Sequence, residues 1–152
     1  MSDAPFDESQ TRALAGVLDT LVPPSADGRL PGAGALGLAP GIAGKLGGAR
    51  SAIAKGLAAL DAAARERGAA DFASLAGTAR EALLRDYDHR DPGFVPGLVF
   101  HTYAAYYPHE RVMTAIGLEP RPPYPLGYPL EQPDLDALLE RVRGGPKRYR
   151  DP

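Results

Sequence analysis

Apolar residues recur at helical spacing along most of the chain, and no segment sustains the apolar and polar alternation of a half-buried strand. Leu14, Val17, Leu18 and Leu21 fall at i, i+3, i+4 and i+7. Asp7 with Gln10 stands in capping-box register before this stripe, and Pro23-Pro24 forbids continuation after it, which predicts a helix over 8–21. A second stripe, Ile53, Leu57, Leu60 and Ala64, predicts a helix capped by Ser51 and ended by Gly68, with Lys55, Asp61, Arg65 and Glu66 on its wet side. Thr78 with Glu81 reads as another capping box, opening a helix that buries Leu83, Leu84 and Tyr87 and stops near Asp88. Leu98, Val99, Thr102, Tyr103 and Tyr106 form the next stripe, which starts at Asp91-Pro92 or only at Pro96 and reaches Tyr107-Pro108. His109 to Ile116 makes a short helix closed by Gly117, and Asp134 caps a last one with Leu135, Leu138, Leu139 and Val142 on one side.

Between these stripes the chain is rich in proline and glycine. Residues 23–49 read mostly as loop, with one short helix over Pro40 to Leu46. Glu119 to Pro133 holds six prolines in fifteen residues and predicts an extended, polyproline-like strap. The fold class is all-α: a small irregular helical bundle with long Pro/Gly-rich loops and a Pro-rich C-terminal strap. Residues 1–118 form the bundle, while 119–152 carry strap, short helix and basic tail as part of the same domain.

Composition narrows the classes of function. A chain of 152 residues can bury a core unaided, and its lack of cysteine removes thiolate chemistry, disulfides and Cys-ligated metals. A net charge of −2 argues against capture of a nucleic-acid backbone. No apolar run is long enough to insert in a membrane. The opening MSDAPFDESQ is acidic, the reverse of a signal-peptide start, so the expected location is cytoplasmic.

Candidate chemistry is sparse. His89, His101 and His109 lie twelve and eight residues apart, which offers no local metal-binding pair. Gly32-Ala33-Gly34-Ala35-Leu36-Gly37 satisfies G-x-G-x-x-G without the preceding strand that the phosphate-binding turn needs, and reads as a flexible connector. Asp86 and Asp88 sit at i, i+2 and do not face one another. No catalytic, cofactor-binding or metal residue is assigned. Tyrosines and arginines gather after residue 100, and this pair of residue types is the composition of interface anchors. Tyr103 and Tyr106, within an apolar stripe, are expected to pack on their own bundle. Tyr107, Arg121, Tyr124, Tyr128, Arg148 and Tyr149 are the partner-interface candidates.

In order along the chain, Leu21-Val22-Pro23, Pro31-Gly32-Ala33, Gly56-Leu57-x-x-Leu60-Asp61, Phe72-x-x-Leu75, Arg80-x-x-Leu83-Leu84, Tyr106-Tyr107 and Ile116-Gly117 resemble the gluconate 2-dehydrogenase subunit 3 family. The strap from Arg121 to Tyr128 resembles members paired with GMC-type oxidoreductases. The resemblance implies a cofactor-free, non-catalytic small subunit that binds a large FAD-dependent sugar or alcohol oxidoreductase and stabilises or matures it. Many members carry a twin-arginine export signal; this chain starts at its first helix, so a cytoplasmic complex is expected. Two other classes stand beside this one: a helical adaptor recognising a protein through the strap, and a small enzyme using His101 or His109.

Overall fold

A computed structural model describes residues 6–122, 124, 125, 127 and 134–146. Among the described residues there are seven α-helices and no strand. The chain divides into two compact units, Met1–Pro120 and Arg121–Pro152.

In the first unit, α1 (Glu8–Leu21) is the central element, in contact with α2 (Ala39–Ala43), α3 (Arg50–Glu66), α4 (Gly77–Arg90) and α5 (Phe94–Tyr106). Its start is the predicted capping box: Gln10 N–H donates to Asp7 Oδ1 at 2.7 Å, and Asp7 N–H donates to Gln10 Oε1 at 3.0 Å. Leu14, Val17 and Leu18 are fully buried, as the spacing predicts.

The glycine-rich segment after α1 is not a flexible connector. Ala33 N–H donates to Val22 O at 3.0 Å and Gly34 N–H to Asp19 Oδ1 at 2.8 Å, which pins the segment along α1. A Cβ on Gly32 would lie 2.3 Å from Asp19 Oδ1, and one on Gly34 would lie 2.2 Å from Ala15 O. These glycines serve close backbone approach rather than mobility. Ala33, Ile42 and Leu46 consequently join the core, with α2 spanning part of the region where the short helix was expected.

Helix α3 buries Ile53, Leu57, Leu60 and Ala64 as the pattern requires. Its start differs from expectation: Ala49 is the cap and Ser51 lies inside the first turn, because the 3₁₀ turn Gly47–Ala49 already delivers the chain in right-handed helical geometry. Gly68, at φ 82°, ends it in a Schellman motif, with Gly68 N–H donating to Arg65 O and Ala69 N–H to Ala64 O. The Thr78 capping box is also absent. Ala76 takes the cap position and Glu81, inside α4, pairs with Arg85 one turn on at 2.6 Å. Leu83 and Leu84 are buried, and α4 runs two residues past Asp88 to Arg90.

Helix α5 begins at Phe94, upstream of Pro96. A proline in the first turn removes an N–H that has no intrahelical acceptor anyway. Helix α6 (Glu110–Ala115) closes on Gly117, at φ 82°, by a second Schellman pair. In the second unit, α7 (Leu135–Arg143) opens on Asp134, whose Oδ1 accepts Ala137 N–H at 3.2 Å. Leu135 and Leu139 of its apolar side are exposed; the side chains of Leu138 and Val142 lie outside the described residues. No described helix is long and apolar enough to cross a membrane.

Candidate partner-binding surface

Helix α5 contains no Asp, Glu, Lys or Arg in thirteen residues. At 100° per residue its side chains separate into two opposed arcs. Phe94, Leu98, Thr102 and Tyr106 point inward and are buried. Phe94 meets Tyr87 edge-on at 5.1 Å, and the Thr102 hydroxyl is satisfied by Leu98 O at 2.8 Å. Tyr106 donates its hydroxyl to Pro31 O at 2.9 Å, tying α5 to the glycine-rich segment. Burial, with Tyr107 beside it, pushes the Tyr106 phenol above its ordinary pKa.

The opposite arc, Pro96, Gly97, Phe100, Tyr103, Ala104 and, just past the last turn, Tyr107, is exposed throughout. Phe100 is 73% exposed, Tyr107 54% and Tyr103 45%. The Tyr103 and Tyr107 rings lie 5.8 Å apart, and the Phe100 ring meets His101 at 5.6 Å. An amphipathic helix would carry charge on this side; α5 carries large rings instead. Such rings bring much contact area with few rotors to freeze, and the tyrosines keep a polar tip for hydrogen bonding.

Of the sequence candidates, Tyr107 belongs to this exposed arc. Tyr124 is 86% exposed in the second unit, and Arg121 there is half-buried. Tyr128, Arg148 and Tyr149 lie outside the described residues. Tyr106 packs on its own bundle as expected. Tyr103 does not, because the helical period carries position 103 to the far side of the stripe formed by Leu98, Thr102 and Tyr106. Phe100 was not singled out by sequence reasoning, although the signal was available: a helix apolar around its whole circumference has one face too many for a single core.

His89 is exposed, His101 sits half-buried against Phe100, and His109 accepts Arg111 N–H as the cap of α6. Among the described residues no group of three His, Cys, Asp or Glu side chains is placed to hold a metal. Asp86 lies 3.5 Å from Arg67. Asp61, expected on the wet side of α3, is only 4% exposed. It accepts Phe72 N–H at 2.9 Å and the Ser9 hydroxyl at 3.1 Å, with Arg65 at 3.7 Å. It therefore joins α1, α3 and the 67–76 loop. Nearby, Asp71 meets Arg12 at 3.0 Å and takes Ser74 N–H at 2.8 Å. Burial raises its pKa, but the Ser74 hydrogen bonds and the Arg12 guanidinium outweigh this and hold its carboxyl below the ordinary value. Arg12 and Arg65, which line a shallow cleft with Glu8, Ser9 and Asp71, are each matched by a carboxylate, so the cleft offers no surplus positive charge to an anionic ligand.

These features describe a small all-helical protein whose distinctive surface is an uncharged aromatic helix face. The model of the family gluconate 2-dehydrogenase subunit 3 matches residues 8–120, and the chain belongs to that family. The matched span covers the whole helical bundle and ends where the second unit begins. No curated protein and no solved structure matches the chain.

Proposed function

We propose that this chain is the non-catalytic small subunit of an FAD-dependent, GMC-type sugar or alcohol oxidoreductase, and that it binds and stabilises or matures the large flavin-carrying subunit in the cytoplasm. The observation that carries the reading is family membership across the entire bundle, since the family is named for one subunit of a multisubunit dehydrogenase. The chain's own geometry supports placing the flavin in the partner. Its one dinucleotide-like fingerprint, Gly32 to Gly37, turns the Gly34 N–H toward the Asp19 carboxylate, whose negative charge beside the segment disfavours a pyrophosphate there. FAD does not fit there, and no step of the reaction is assigned to this chain.

The test is co-expression with a large FAD-dependent oxidoreductase encoded beside it. The two chains are expected to co-purify, and the large subunit to hold more FAD and survive heating longer than when made alone. Flavin retained by the isolated small chain, or a large subunit indifferent to it, would refute the reading.

A further inference from the structure

We propose that the exposed arc of α5, centred on Phe100, Tyr103 and Tyr107, docks on the large subunit and is received there by an uncharged apolar groove with hydrogen-bond acceptors at its rim. The inference rests on the function proposed above and adds the face and the chemistry that meets it.

Charge complementarity selects the occupant. A charged surface covering this arc would lose its hydration and find no ion on α5 to pair with, which is unfavourable. A neutral apolar groove loses little hydration, while the two tyrosine hydroxyls find acceptors at its edge. A membrane surface is disfavoured for the same reason. Helices that lie on anionic lipid carry Lys and Arg beside their apolar face, and α5 has neither.

Area argues against a second copy of this chain. At their observed exposures the three rings offer on the order of 300 to 400 Å², whereas a stable interface covers about 800 Å² on each partner. Two copies meeting through this arc alone fall short. A much larger subunit can extend the contact over the surrounding surface, with the rings as its central anchors.

The experiment measures affinity of the full chain for the large subunit, with Phe100→Asp and Tyr103→Asp each placing one charge on the arc. Both positions are exposed, so the melting temperature is expected to hold while affinity falls about tenfold or more. Thr78→Asp, on the exposed start of α4, is expected to bind within about twofold of the wild type. Should an Asp variant fold poorly, Phe100→Ala and Tyr107→Ala carry the same expectation. A wild-type complex that tolerates all of these changes overturns the docking face and leaves the proposed function standing. Failure of the wild-type chain to bind the large subunit overturns both. A wild-type dimer dispersed by Phe100→Asp, or binding to phosphatidylserine vesicles lost in that variant, assigns the arc to another occupant and also overturns the proposal.

Discussion

Asp61 shows how far one side chain's role depends on what folds over it. Its carboxylate holds the amide of Phe72, itself fully buried, so removing the acceptor leaves that N–H without a partner. Asp61→Ala is expected to destabilise the chain by about 2 to 3 kcal/mol in urea unfolding, and Asp61→Asn by clearly less because an amide oxygen still accepts. Gly56 is a second such residue. In an open helix Gly→Ala adds about 0.5 to 1 kcal/mol of stability, yet a Cβ at 56 would lie 2.3 Å from Phe94 Cε2 inside the core. Gly56→Ala is therefore expected to destabilise by about 1 to 3 kcal/mol. Gly97→Ala, whose nearest neighbour is Ile53 Cδ1 at 3.9 Å, is expected to be neutral or stabilising in the same assay.

At the scale of elements, α3 and α4 hold the bundle through stripes that periodicity alone identifies. Leu57→Ala and Leu83→Ala are each expected to lower stability by about 2 to 5 kcal/mol, since both side chains are buried and neither site can fill by solvent access. A loss under about 1 kcal/mol would mean that these faces do not form the core. The 67–76 loop, which joins the two helices, is tied to α1 by the pairing of its Asp71 with Arg12. The Asp71 carboxyl is shifted down in the folded state, so its stabilisation is present above the ordinary carboxylate pKa and is lost as pH falls through the folded value. The stability gap between wild type and Asp71→Asn is accordingly expected to be full near neutral pH and to close in acid, which unfolding curves measured from pH 7 down to pH 2 will show. Capping was less readable than periodicity. Ser51 and Thr78 both have the residue type of a cap, but a preceding 3₁₀ turn and an i, i+4 ion pair supplied competing local geometry.

For the molecule as a whole, Tyr124 in the second unit allows folding and binding to be tested separately. Tyr124 stands 86% exposed, so Tyr124→Ala is expected to change stability by less than about 0.5 kcal/mol. If the proline-rich segment is a recognition element, as the sequence suggests, the same variant weakens association with the large subunit. A thermal melt paired with a binding titration checks both halves of that expectation, and a lowered melting temperature with undiminished binding would reassign Tyr124 to packing.

The all-helical class, the extent of α1, the end of α3 at Gly68, and the buried rows at Leu14 to Leu18 and Ile53 to Ala64 were determined by the sequence itself. Each depends on neighbours within a turn or two, where spacing and backbone chemistry act without help from distant residues. Tertiary structure alone decided that Asp61 is a buried junction, that Gly32 and Gly34 are contact points, and that Tyr106 turns inward while Tyr103 and Phe100 turn out. Those outcomes depend on residues such as Phe72, Asp19 and Pro31, which lie 11 to 75 positions away along the chain. An apolar helix such as α5 carries no mark of which face the core will take. Only the arrival of the other helices on one side leaves the opposite rings exposed.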